Sequence, residues 1–285
     1  MTRTIDPIVS TEWVEQNLGR EGLTILDIRW EEEYAAGHIP GALSVPFGLN
    51  SDWAVSEDLI LELPPDETLF EMIGRCGLTP DSQVVIVGRI EEPPAPPYAV
   101  ADAVRAAVTL IYAGIRNAAV LAGGHPKWER EGRPLSTETP TITPTVYRAV
   151  TDRSWWVDTR YVEQRLGRSV LIDGRDPEYY FGVSTDPLAE MNGHIPTARN
   201  LPIIWVWEKD YTYRPFSLIH DMAVGVIGEN RDQEVIAYCG AGGYASAWWF
   251  LLTQLLGYRD VKIYDGSMEA WVEEGKPVVR FSWTS

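Results

Sequence analysis

The chain repeats itself, and that repeat limits the possible folds more than any other feature of its 285 residues. Thr24 to Pro46 reads TILDIRWEEEYAAGHIPGALSVP, and Val170 to Pro202 reads VLIDGRDPEYYFGVSTDPLAEMNGHIPTARNLP. Each stretch has an apolar run closing on Asp-x-Arg (Asp27 and Arg29, Asp173 and Arg175), followed by His-Ile-Pro at His38 and His194. Further along, Gly114 to Pro134 matches Gly257 to Pro277 at a constant offset of 143 residues, with Trp128 against Trp271. Shared order and spacing predict two copies of one domain. At about 150 residues per domain the length fits two.

Within each copy, strands and helices alternate. Leu23–Asp27 and Val170–Asp173 are short apolar runs before polar turns and read as buried strands. Val84–Val87 and Val235–Tyr238 read the same way, each ahead of an apolar-rich helix predicted over Ala99–Tyr112 or Ala245–Leu256. Val120 and Ile263 sit in a last short strand, before helices around Trp128 and Trp271. This alternation predicts an α/β fold, with a mainly parallel sheet covered by helices in each copy. Ser136 to Thr145 mixes Thr with Pro and predicts an extended linker. The expected division is a domain over 1–135, a linker over 136–146 and a second domain over 147–285.

Charge and cysteine content narrow the chemistry. With 24 Lys plus Arg against 41 Asp plus Glu, the formal net charge is −17. Nucleic acid and anionic membranes select positive surfaces, so neither is an expected partner. No apolar run reaches the roughly 18 residues of a membrane span. The first 16 residues lack the apolar core of a signal peptide, so a cytoplasmic protein is expected. Cys76 and Cys239 are the only cysteines, too few for a disulfide framework, a Cys-rich zinc site or an iron–sulfur cluster. His125 and His220 show no ligand spacing, and His38 and His194 recur as turn residues. No metal and no cofactor is expected.

The two copies diverge where function should lie. After its second strand the first copy carries the Pro-rich stretch Gly88 to Pro97; the second carries Cys239-Gly-Ala-Gly-Gly-Tyr-Ala245. A strand-to-helix turn in a parallel sheet lies at the carboxyl edge, where such sheets bind ligands. Gly240, Gly242 and Gly243 can take positive φ, so successive N–H groups of the loop from Gly240 to Ala245 can form an anion-binding nest. The following helix adds its positive end, and both effects predict a thiolate at Cys239. Cys76, in Gly74-Arg-Cys-Gly-Leu78, reads as an ordinary partly buried thiol. Ala245, Trp248, Trp249, Leu252, Leu255 and Leu256 form an apolar stripe facing a core.

These features together resemble the rhodanese family, specifically its tandem-domain thiosulfate and 3-mercaptopyruvate sulfurtransferases, over about Ile8 to Pro277. The two His-Ile-Pro segments, the two Asp-x-Arg turns, the Cys239 loop and the closing Tyr264-Asp-Gly-Ser-Met-Glu-Ala-Trp271 carry the likeness. The resemblance implies two rhodanese-like domains, the first non-catalytic, with the active pocket between them on the second copy. It further implies sulfur transfer through a Cys239 persulfide, from a small sulfur donor to a thiol or cyanide. Asp173 and Arg175 are then an ion pair bracing the loop, with Arg175 a candidate for pocket potential. Trp30 is a pocket candidate or a packing residue, and Tyr179 and Tyr244 are pocket candidates or space fillers.

Departures from the family bear on the donor. Basic residues follow the cysteine in the thiosulfate type, where this chain has Gly240 and Ala241. Ala241 also lacks the hydroxyl of the mercaptopyruvate type, and Tyr179 stands where well-known members place a substrate-binding Arg. A donor less charged than thiosulfate follows as an expectation. A phosphatase of the same fold needs Arg six residues after the cysteine, and that position is Ala245. A persulfide relay module and a thiol redox sensor are the other readings.

Overall fold

A computed structural model of the chain describes residues 3–91 and 97–281, so the middle of the Pro-rich stretch lies outside the described residues. The chain divides into two compact units. One comprises Met1–Val55, Leu63–Asp152 and Glu208–Tyr213; the other comprises Ser56–Glu62, Arg153–Trp207 and Arg214–Ser285. Each unit thus borrows one short segment from the other half of the sequence.

In the first unit the order is β1 (Ile8–Val9), α1 (Thr11–Gln16), β2 (Leu23–Asp27), α2 (Glu31–Ala36), β3 (Leu43–Ser44), α3 (Asp66–Arg75), β4 (Gln83–Val87), α4 (Tyr98–Tyr112), β5 (Asn117–Leu121) and α5 (Gly124–Arg130). All its strand pairs are parallel, in the order β1-β5-β4-β2-β3. The second unit repeats this as β6 (Trp156–Val157), α6 (Thr159–Arg165), β7 (Val170–Asp173), α7 (Pro177–Tyr180), β8 (Arg199–Asn200), α8 (Phe216–Val226), β9 (Val235–Tyr238), α9 (Gly243–Phe250), β10 (Val261–Tyr264) and α10 (Ser267–Glu273). Its parallel sheet runs β6-β10-β9-β7-β8, the same order strand for strand.

The predicted strands are present, and their residues explain them. Val84 to Val87 and all of β9 are buried, as continuous apolar strands in a parallel sheet covered on both faces must be. Each sheet also has two edge strands of two residues, β1 and β3 or β6 and β8, too short to leave a periodic signal. Helix α9 differs from the expected one-sided stripe. Tyr244 to Leu252 are all buried, Ser246 included, so the helix is enclosed by protein all round. It continues as a π-helical turn over Leu251–Leu255. Its tryptophans belong to the core: Trp248 Nε1 donates to the Leu201 carbonyl at 2.7 Å, and Trp249 stacks on Trp155 with centroids 4.1 Å apart.

The recurring motifs make the same contacts in both units, which marks them as scaffold. Arg29 forks onto Asp27 at 3.0 and 2.7 Å and reaches the Gly37 carbonyl at 2.8 Å. Arg175 repeats this on Asp173 at 3.0 and 2.6 Å and on the Gly193 carbonyl at 2.7 Å. His38 stacks on Tyr34 at 3.7 Å, and His194 on Tyr180 at 3.8 Å. The Thr/Pro segment forms no helix or strand and is pinned to the first unit. Ser136 bridges His38, and Thr145 donates to the Gly74 and Leu78 carbonyls at 2.9 and 2.8 Å. Val279 bridges His194 in the second unit, 143 residues after Ser136, so the segment begins as part of the repeat. No helix among the described residues is long and apolar enough to cross a membrane.

Candidate active site

In the second sheet the chain leaves β7 toward β8 on one side and later returns to β9 on the other. The carboxyl ends of β7 and β9 therefore flank the switch point where open α/β sheets bind ligands. β7 delivers Asp173 and Arg175 to this edge, and β9 delivers Cys239.

Cys239 is 3% exposed, and backbone groups close around it. Gly242 N–H donates to Sγ at 3.1 Å, and the N–H groups of Ala245, Ala241 and Tyr244 also favour a negative sulfur. Of the three loop glycines expected at positive φ, Gly242 alone adopts it, at +87°. Gly240 is instead closely approached: a Cβ there would lie 3.1 Å from Leu188 Cδ1 and 3.3 Å from Asp186 Oδ2, tight contacts that those side chains would have to relieve. Gly243 opens α9, placing the helix N-terminus beneath the sulfur.

The expectation of a resting thiolate needs correction. Burial pushes the Cys239 thiol above its ordinary range, and the loop N–H groups and the Ser267 hydroxyl only partly offset this. The reason is dielectric: removal from water penalises the anion more than the oriented N–H and O–H dipoles recover. In a Cys76→Ala background, alkylation of Cys239 by uncharged iodoacetamide is expected to keep accelerating past about pH 8.5, the ordinary thiol midpoint. A plateau by about pH 7 would contradict this order of effects. Cys76 is itself buried and pushed up to about 11, consistent with an inert thiol.

Arg175 does not supply free positive potential. Besides Asp173, its Nη1 meets Asp186 Oδ2 at 3.0 Å, and all three side chains are buried. Two carboxylates on one guanidinium leave the cluster with a net negative charge. Nor can this occupied fork clamp a phosphate, so Arg175 does not stand in for the arginine a phosphatase loop needs. Tyr179, on α7, is half-buried, and its phenol is held protonated by burial and by the carboxylates of Glu178, Asp176 and Asp186. Tyr244 is 8% exposed, and its Cβ lies 3.5 Å from where a Gly174 Cβ would stand. Trp30 belongs to the first unit, where it is 52% exposed with the Arg89 guanidinium 3.8 Å over its ring.

Three contributors were not singled out from sequence. Ser267, buried at φ +50°, accepts the Cys239 N–H at 3.0 Å, and its Oγ lies 3.9 Å from Sγ. Glu269 N–H donates to the Gly240 carbonyl at 3.1 Å. Asp186, in the longer loop of the second copy, tethers Leu188 N–H at 2.9 Å beside Gly240. Two of them left a signal, because the repeat aligns Ser267 with Gly124 and Glu269 with Pro126, exposing a hydroxyl and a carboxylate gained in one copy.

The family model described as Rhodanese-like domain matches twice, over residues 10–131 and 158–274. The chain belongs to the rhodanese family. Among its relatives, "Sulfur carrier protein TtuD" of Thermus thermophilus is 30% identical, covering 93% of each chain. "Putative thiosulfate sulfurtransferase SseA" of Mycobacterium tuberculosis is 31% identical, over 93% of this chain and 87% of that one. Among solved structures, wild-type EanB superposes with a TM-score of 0.80 at 24% identity, over 97% of this chain and 69% of that one. That likeness speaks to the fold alone.

In this tandem rhodanese the first copy is stripped at the corresponding place. Gly88 follows β4 where Cys239 follows β9, and Gly124 replaces Ser267. A Cβ on Gly124 would lie 2.6 Å from the Gly88 carbonyl, so backbone fills the place that the Ser267 side chain takes in the second copy. What remains is a cavity of about 20 Å³ lined by Gly88, Arg89, Gly124 and Tyr211, among others. It has room for about one water molecule.

Proposed function

We propose that the protein is a sulfurtransferase in which Cys239 of the second domain carries a sulfane sulfur from a small donor to a thiol or cyanide acceptor. The observation that carries this reading is the sulfur of Cys239 at the head of α9, with the Gly242 N–H aimed at it from 3.1 Å. After deprotonation, the Cys239 thiolate attacks the outer sulfur of the donor. The donor's bond to that sulfur breaks and its electron pair leaves with the remainder of the donor. A persulfide now stands on Cys239, its terminal sulfur negatively charged and within the field of the loop N–H groups. An acceptor nucleophile attacks that sulfur and the Cys239 thiolate returns. No external oxidant or reductant enters either step.

Asp173, Arg175 and Ser267 are positioning residues here. The first two fix the loop's neighbour, and Ser267 anchors the Cys239 N–H. Steady-state rates should give parallel double-reciprocal lines, as a shuttling covalent intermediate requires. Intact-mass measurement after donor exposure should show one added sulfur atom. A protein that never gains this atom with thiosulfate, 3-mercaptopyruvate or an alkyl hydropersulfide is not a sulfurtransferase of this type.

A second reading is favoured by the relative called a sulfur carrier protein: the Cys239 persulfide is handed to a partner protein instead of a small acceptor. Persulfidated protein that resists cyanide and small thiols would support relay over turnover.

A further inference from the structure

We infer that the walls of the Cys239 loop select a sulfur donor that is uncharged or positively charged, and that Glu269 and the strap Ser56–Glu62 set this preference. The inference rests on the sulfurtransferase reading and concerns its substrate class. The carboxylates are no site of their own; they wall the one built around Cys239.

Gly240, the first residue after the nucleophile, is approached by two carboxylate-bearing residues. Asp186 Oδ2 lies 3.3 Å from where a Gly240 Cβ would stand, and Glu269 is tied to the Gly240 carbonyl through its own N–H at 3.1 Å. The strap comes from the first half of the sequence but belongs to the second unit. Its Ile60 N–H holds Glu269 Oε2 at 2.9 Å, fixing that carboxylate beside the loop. Leu61 Cδ1 approaches Gly243 and Leu59 Cδ1 approaches Gly266, at 3.9 and 3.3 Å from their would-be Cβ atoms. The loop is therefore edged by leucine side chains and by negative charge.

Glu269 feels Glu62 and other carboxylates around it. Burial lifts the Glu269 carboxyl, the Ile60 N–H partly offsets this, and Glu273, Glu62 and Asp186 add to the lift; burial, then Asp265, Asp58 and Glu57, lifts that of Glu62. Arg175, the cation on this edge of the sheet, is already shared by Asp173 and Asp186. An incoming thiosulfate dianion meets repulsion and partial desolvation with no counter-charge in the loop. A donor with a neutral or ammonium tail meets apolar contact and attraction instead.

The test uses three hydropersulfide donors that share one reacting group: 2-aminoethyl, 2-hydroxyethyl and 2-carboxyethyl hydropersulfide. In each, Cys239 takes the outer sulfur and the corresponding thiol leaves. Rates of sulfur loading, read by rapid-quench mass spectrometry on the full chain, should fall in that order, about fivefold per step at low salt. Added salt should compress the series. Glu269→Gln should raise the carboxyethyl-to-hydroxyethyl ratio about fivefold; Glu62→Gln, a more exposed substitution, should move it the same way should the first variant fold poorly. Equal loading of all three donors, or a ratio unmoved by salt and by both variants, overturns the inference while leaving the sulfurtransferase reading intact. Failure of every donor to load Cys239 removes that reading and the inference with it.

Discussion

Replacing the nucleophile, Cys239→Ser, is expected to abolish sulfur loading and to lower turnover by about a thousandfold or more, because a serine hydroxyl has no accessible anion near neutral pH. The substitution is nearly isosteric, and the Gly242 N–H still finds an acceptor, so the fold should be retained. Donor exposure followed by intact-mass analysis of both proteins checks it, with unfolding curves as the control for structure. Loading that persisted in the variant would move the chemistry to Cys76. That thiol is buried in the first unit, with its pKa pushed up to about 11 by burial.

The largest effect on stability should come from Arg175→Leu. This change strands Asp173 and Asp186, both buried, without the guanidinium that neutralises them. Breaking a buried pair by removing one partner costs about 3–5 kcal/mol. Urea unfolding should show the second unit's transition moving to lower denaturant while the first unit's stays in place. Arg29→Leu is the natural comparator. It strands Asp27 alone and should shift the first unit's transition by less. Equal shifts for the two variants would mean that Asp186 keeps its charge satisfied without Arg175.

The repeat made much of this legible in advance. Asp-x-Arg and His-Ile-Pro, found twice, identify scaffold positions. Their contacts, Arg29 on Asp27 and Arg175 on Asp173, or His38 on Tyr34 and His194 on Tyr180, are nearly superimposable. The place where a nucleophile appears in one copy alone, a strand followed by Cys-Gly-Ala-Gly-Gly in place of Gly-Arg-Ile, pointed to Cys239. The two-residue edge strands were illegible because two residues carry no period. The Thr/Pro segment looked like a free linker because its hydrogen bonds go to residues far away in sequence, such as Gly74 and Leu78.

Sequence by itself determined the duplication, the α/β architecture, the parallel sheets and the choice of one cysteine at a strand-to-helix turn. These follow from local patterns of apolar residues, glycines and turns, which a chain displays in order. Tertiary structure decided the state and setting of that cysteine. Burial outweighs the helix end and keeps the thiol protonated; Asp186 takes up the positive charge expected of Arg175; Glu269 and a strap from residues 56–62 edge the loop. Desolvation and charge pairing depend on which distant residues meet in space. No spacing along the chain encodes them.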